Sequence, residues 1–592
     1  MGKKSKKKKI ARELSKKEVQ KPHKQKKEYF KKTKAAVKEK LAIVKQVNKR
    51  RLFGGLLALI MLTILVSVGY LIFNKAFRPT PVEKYLPADR TVMVLSVNVN
   101  PQHNQFIKTF ELLKNYPQYS FDSFVKMIEK DYSINYEKQI KSWLGREAGV
   151  AFVLPEKNAL TVDKFYFAEM ISPKNAEIAM NGSQKSTYKT YTVYKLKDKG
   201  FAVFVDDYLF FSGQESAIKN LLDFQESSEK ALYSAQDFSR INDNLPIIRM
   251  GFIYLALDKI NDGFFKEIPF LSEKGIASNV AYPLLKLFKS EGFVFVALEN
   301  NFAVESFTNL NVNKIKGGEY ITFKQKYNAG LSDYVSENTL AFWGGQNLEY
   351  QIKRIEEILS GGDEGTMLIF DEILKNYVQR YFGDGVNIKE DIMAIFKNEF
   401  ALTIENTNGE NIYKLLIELK DPRNDALKIQ KLAADFSKMG GFIKPKIVEH
   451  KLLDGTIARE IVADPGQIEE TQEVYKDTTI YEYKMGEKNW GVFYSFINDI
   501  AVISNSVDGA KNVIDIITGN AVSLRRSKLF DTDIKPVLQS SDEITYLNLE
   551  KLLPILFGDN AIPEYLVPVE SLSRGKNYFN DGVKTINYLR VK

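Results

Sequence analysis

Phe204-Val-Asp-Asp207-Tyr-Leu-Phe-Phe-Ser212 recurs in the same chain as Phe496-Ile-Asn-Asp499-Ile-Ala-Val-Ile-Ser504. In one register and without a gap, Lys219-Asn220-Leu-Leu-Asp223 then meets Lys511-Asn512-Val-Ile-Asp515, and Phe238 meets Phe530. Tyr254-Leu-Ala-Leu257-Asp-Lys259 follows against Tyr546-Leu-Asn-Leu549-Glu-Lys551. A register held through a strand, a helix, a loop and a second strand marks an internal duplication.

With gaps the match runs both ways. Tyr85-Leu-Pro-Ala-Asp-Arg-Thr-Val faces Tyr334-Val-Ser-Glu-Asn-Thr-Leu, and Trp143-Leu-Gly-Arg-Glu147 faces Ile395-Phe-Lys-Asn-Glu399. Pro173-Lys-Asn175 faces Pro422-Arg-Asn424, and a hairpin turning at Asn300-Asn301 has its counterpart at Asp581-Gly582. Two tandem homologous units are expected, 82–315 and 334–592, with a junction over 316–333 around Gly317-Gly318.

Within each unit, apolar runs split by Asp206-Asp207 or Asn498-Asp499 predict tight hairpins. The helix that follows puts Ile218, Leu221 and Leu222 on one face, with Ser216 as its expected cap. In the second unit Asp508 is the expected cap, Ala510, Val513, Ile514 and Ile517 form the stripe, and Gly519 ends it. A further amphipathic helix is predicted from Gln105 to Tyr116 with Phe106, Phe110 and Leu113 inward. Hairpins joined to one-sided helices define an α+β class, antiparallel sheet with helices packed on it.

Ahead of these units, Leu52 to Phe73 reads LFGGLLALIMLTILVSVGYLIF without a charge. As a helix the run spans ~33 Å, enough for the ~30 Å hydrocarbon core of a bilayer. It is too long for the apolar region of a cleaved signal peptide and has no small-residue cleavage site, so it reads as an uncleaved anchor. Pro79 and Pro81 bar its continuation through the linker 74–81. Residues 1–51 hold 22 Lys and Arg against 4 Glu, a local charge of +18. The positive-inside rule therefore expects a cytoplasmic N-terminus and a bulk that is extracytoplasmic, in a single-pass protein of the cell membrane.

The whole-chain charge of +10 thus belongs to the tail, and the remainder is mildly acidic. The expected contacts of the tail are anionic lipid headgroups, while Leu52 to Phe73 contacts the bilayer itself. Lysine runs without interleaved aromatic residues give no base readout, so nucleic acid is not an expected partner. With no cysteine, disulfides, Fe–S clusters, thiolate zinc sites, cysteine nucleophiles and lipid attachment at a cysteine are all excluded. A large extracytoplasmic region of this kind fits a bacterial envelope.

Leu86-Pro87-Ala88-Asp89 just past an N-terminal anchor, Trp143-Leu-Gly-Arg-Glu147 before a strand, and the Asp-Asp hairpin followed by a Lys-Asn helix carry a family likeness. On these residues the chain resembles an uncharacterised bacterial family of single-pass envelope proteins with a large extracytoplasmic domain of unknown function. The second copy has Val335-Ser-Glu-Asn338 and Ile395 in the places of the first two motifs. The resemblance implies no substrate and no catalytic residue.

Residues that could carry chemistry are few. The three histidines are His23, His103 and His450. His103 reads as a turn residue at a helix start and His450 as a solvent-facing strand residue. Ser-x-x-Lys occurs at Ser5, Ser123 and Ser227 without the motifs that accompany it in serine–lysine enzymes. No phosphate-binding glycine loop is present; Gly383-Asp-Gly385 is an isolated turn. Asp206-Asp207, Asp363-Glu364 and Glu469-Glu470 lack the order of a calcium loop, and Asp206-Asp207 reads as a turn rather than a hydrolytic pair. No catalytic, cofactor or metal residue is assigned and no cofactor is expected. The function expected is a non-enzymatic binding or scaffolding module for an envelope protein or polymer. The alternatives are an envelope hydrolase without metal or cysteine, and a basic cytoplasmic tail that tethers nucleic acid or an acidic partner to the membrane.

Overall fold

The first of the strands, β1 (Thr91–Asn98), is buried at every position but the last and so on both faces, as a central strand must be. It lies within a computed structural model that describes residues 81–592 apart from short stretches, the longest being 267–286 and 312–326. The tail, the run Leu52 to Phe73 and Gly317-Gly318 lie outside the described residues. Among the described residues no helix is long and apolar enough to cross a membrane.

In the first half β1 is followed by β2 (Leu144–Val153), β3 (Asp163–Met170), β4 (Gln184–Tyr188), β5 (Tyr191–Lys195), β6 (Phe201–Val205) and β7 (Tyr208–Ser212). β8 (Gly251–Leu255), β9 (Phe288–Ala297) and β10 (Asn301–Leu310) complete it. The second half holds β11 (Ala341–Gln346), β12 (Glu399–Thr407), β13 (Glu410–Glu418), a separate hairpin β14 (Lys446–Lys451) and β15 (Ile457–Val462), then β16 (Ile468–Tyr475) and β17 (Thr478–Met485). β18 (Gly491–Ile497), β19 (Ile500–Ser504), β20 (Glu543–Asn548), β21 (Val569–Phe579) and β22 (Gly582–Val591) follow.

All strands except β14 and β15 join one antiparallel sheet of 20. From one outer edge the neighbours are β4, β5, β6, β7, β3, β2, β1, β8, β9 and β10. From the other they are β16, β17, β18, β19, β13, β12, β11, β20, β21 and β22, the same order element for element. The halves meet where β10 pairs with β22 over nine residue pairs, Asn301 with Arg590 through Asn309 with Gly582. The described residues therefore form one α+β body, with an edge strand of each half covering the edge of the other.

Helices clothe both faces. Those of seven residues or more are, in the first half, α1 (Asn104–Leu112), α2 (Pro173–Ala179), α3 (Glu215–Gln225) and α4 (Gln236–Asn244); in the second, α5 (Leu348–Ser360), α6 (Glu364–Phe382), α7 (Pro422–Gly440), α8 (Val507–Ile517), α9 (Lys528–Leu538) and α10 (Leu549–Phe557). Ile218, Leu221 and Leu222 of α3 and Phe238 and Ile241 of α4 pack on Val94, Phe165, Val203 and Phe252. Ala510, Val513 and Ile514 of α8 and Phe530 and Ile534 of α9 do the same on Phe342, Leu416, Val502 and Ile544. The opposite faces take Ala176 of α2 and Ile429 and Leu432 of α7.

Two caps differ from expectation. α3 begins at Glu215 after an extended Gln214, because β7 ends only at Ser212 and the chain turns at once; Ser216 is already inside the helix. In α8 the cap is Ser506, which accepts from the Asp508 N–H, leaving Asp508 in the first turn where its charge faces the positive end of the helix dipole. Gly519 does end α8, with φ +78°. The helix predicted to Tyr116 stops at Leu112 and continues as a 3-10 turn over Leu113–Asn115, with Phe106 and Leu113 buried and Phe110 half-buried. Both hairpins headed by Asp206 and Asn498 turn through a left-handed residue, φ 47° and 56°, a conformation Asp and Asn accept more readily than most side chains.

A polar cleft in the second half and its filled counterpart in the first

At one end of the second half's sheet, β12 starts at Glu399 opposite Gln346, and β13 ends at Glu418 opposite Ile500. The third wall is the segment from Tyr327 to Tyr334, which ends in a 3-10 helix over Gly330–Tyr334. Glu399 ties this wall down by accepting the N–H groups of Gly330 (3.0 Å) and Leu331 (2.9 Å), while Glu418 accepts the Glu399 N–H (3.2 Å). Between the walls lies an opening of about 640 Å³. Its lining includes Tyr327, Asp333, Asn398, Glu399, Glu418 and Asp499, with Lys397 as the single cation among the lining residues.

The electrostatics are unbalanced. Burial pushes the Glu399 carboxyl up to about 7, against the pull of the Leu331 N–H and with the Glu418 charge adding to the rise. Tyr327 is 3% exposed, and its phenol is held well above the ordinary range by burial and by the Glu399 charge. Its hydroxyl is buried against Gly344, close to the Glu399 carboxylate.

The first half has the same acids in the same places. Glu147 pairs with Asn98 in the β1–β2 ladder as Glu399 does with Gln346, and Glu169 pairs with Tyr208 as Glu418 does with Ile500. Here the chain supplies its own partners. The Arg146 guanidinium meets Glu169 at 3.4 Å, the Arg146 N–H donates to Glu169 at 2.7 Å, and the Tyr208 hydroxyl donates to Glu147 at 2.8 Å. Behind them the half-buried Arg249 lies 3.9 Å from the Phe252 ring centroid, where it feels the charges of Glu83 and Glu147. Burial, helped by the Glu147 charge, raises Glu83 to about 7. In the aligned second half Asn398 stands for Arg146, Ile500 for Tyr208, Ser541 for Arg249 and Asp333 for Lys84. Glu147 and Glu169 keep acidic counterparts in Glu399 and Glu418, Glu83 becomes Ser332, and Arg146, Tyr208 and Arg249 have no charged or hydroxyl-bearing aromatic counterpart.

The residues weighed in the sequence fall elsewhere. His103 caps α1, accepting the Gln105 N–H at 3.2 Å, and His450 is exposed on β14 with Nε2 3.0 Å from Glu460. Asp206 is a turn residue whose carboxylate accepts from the Tyr85 hydroxyl at 3.0 Å. Glu469 and Glu470 lie on β16; Asp363 lies outside the described residues. Among the described residues no group of three or more His, Asp and Glu is placed to hold a metal ion. The cleft acids were not singled out from sequence, although Glu147 and Glu399 close the two aligned motifs and so mark a position kept in both copies.

Fold and cleft together define an α+β protein with an extended antiparallel sheet and a polar opening at one of its ends. The chain belongs to the family described as protein of unknown function DUF3352, whose model matches residues 54–442. No curated protein matches it. Among solved structures it is similar to crystal form IV of TP0453, at TM-score 0.22 and 9% identity over 44% of this chain and 79% of that one. Crystal form III of TP0453 gives TM-score 0.22 and 11% identity over 41% and 83%. Likeness at this level carries no argument about fold or function.

Proposed function

We propose that this protein is a non-enzymatic binding module of the cell envelope, held by Leu52 to Phe73 in the membrane with its N-terminus cytoplasmic and its sheet outside. The two halves are read as tandem copies of one domain, of which the first has become a structural partner and the second keeps a ligand site. The observation that carries this reading is the open, acid-lined cleft of the second half beside a counterpart closed by Arg146 and Tyr208. The uncharged run and the lysine-rich tail before it support the anchoring, with the tail against anionic headgroups.

A photo-reactive side chain at Lys397, an exposed residue of the cleft lining, tests the reading in cells carrying the full chain. An adduct with an envelope protein or wall polymer is expected, together with activity of an alkaline phosphatase fused after Lys592. An inactive phosphatase, or an adduct only with cytoplasmic components, contradicts it.

A further inference from the structure

The first half is an internal record of what its twin lacks. Arg146 lies at the mouth of its acid pair, its side chain 35% exposed, with the guanidinium against the 7% exposed Glu169. In the second half the same strand position is Asn398, too short to reach across, and the cleft opens at this place. Glu418 accepts the Glu399 N–H, and Glu399 accepts two backbone N–H groups with the Tyr327 hydroxyl close by. A carboxylate offers about four acceptor sites, so both retain free capacity.

We infer that the second-half cleft binds a guanidinium group, the arginine side chain of a polypeptide ligand, in the place that Arg146 fills in the first half. The inference rests on the binding-module reading above and names its ligand. The planar fork of a guanidinium suits carboxylates better than a neutral or anionic group would. Ile500, replacing Tyr208 at the edge of the opening, removes the hydroxyl that would otherwise compete for the acid at Glu399.

The test is calorimetric titration of the full chain in detergent micelles with acetyl-Gly-Arg-Gly-amide and with its citrulline counterpart, which keeps the shape and removes the charge. The arginine peptide is expected to bind about tenfold or more tighter, the size of one charge-assisted pair. Asn398→Arg, which places the first half's own guanidinium in the cleft, is expected to abolish that binding. Glu418→Gln, nearly isosteric, is expected to weaken it about tenfold and so to serve if the larger substitution disturbs folding. Equal binding of the two peptides, binding of neither, or an Asn398→Arg protein that folds and binds like the parent would overturn the inference. An envelope partner cross-linked at Lys397 without arginine preference would overturn it and leave the wider reading standing. Arginine-dependent binding in micelles with no envelope adduct in cells would do the reverse.

Discussion

Glu305 faces Ile586 across the β10–β22 ladder, and each residue is the counterpart of the other. The hairpins that deliver them are built alike, Phe302 pairing with Ala297 in one and Val583 with Tyr578 in the other, so a local two-fold axis passes between this pair. The seam is the single-chain equivalent of an isologous dimer contact. Glu305 also takes an ion pair from Lys584 at 3.0 Å, and Phe307 packs 5.8 Å from Phe579 beside it.

Phe307 is fully buried at this seam, and its ring fills the space above Gly582. Phe307→Ala is expected to cost about 3–5 kcal/mol through the cavity it leaves. Because the sheet is continuous across the seam, calorimetry should show one transition moved to lower temperature. Two separated transitions would contradict that coupling.

Lys414 is wholly buried and paired with the equally hidden Glu405, which also accepts from the Thr339 hydroxyl at 3.0 Å. Lys414→Met is expected to destabilise by roughly 3–5 kcal/mol, since it strands a carboxylate without its cation. Lys414→Met combined with Glu405→Leu should recover much of that loss in urea unfolding. An additive double variant would show that the two charges act independently.

Glu399 should make stability fall as pH rises. Its folded-state carboxyl titrates near 7 against an ordinary 4.5, because burial disfavours its charge. Between those values the folded protein holds a proton that the unfolded chain has released. Its stabilising contribution is therefore complete below about 4.5 and lost as pH climbs through 7. Relative to Glu399→Gln, the parent should lose on the order of 2–3 kcal/mol across this window in denaturant melts. Glu83, raised to about 7 in the first half, adds a loss of the same sign.

The β14–β15 hairpin pairs only with itself, and its tip residue Leu453 is completely exposed. Replacing Lys446–Val462 by a short Gly-Ser link should change the melting temperature by no more than about 2 °C, because surface segments outside the cores carry little of the folding free energy. A larger drop would mean that the hairpin is packed against the body.

The α+β class and the hairpins at Asn300-Asn301 and Asp581-Gly582 were legible because they rest on local pattern: period-two runs, turn residues and helical stripes. The seam was not, since the pairing of β10 with β22 joins segments some 280 residues apart and nothing in either strand names its neighbour. Caps slipped at Ser216 and Asp508 because the strand before each helix fixes where the chain can turn. The exchange of Arg146 for Asn398 was visible in the aligned copies. Its meaning depends on Arg146 reaching Glu169, a strand away, which only the β2–β3 ladder reveals.

β22 is the last of the twenty sheet strands in chain order, yet it lies in the middle of the sheet. During synthesis the first half can assemble early, but β10 must wait with an open edge until the final strand leaves the ribosome. Its long, partly apolar rim is then exposed to wrong pairings for the time it takes to make the whole second half. A chain terminated before β22 would keep that edge open, so the order of manufacture makes the central ladder a late check that β22 has been made.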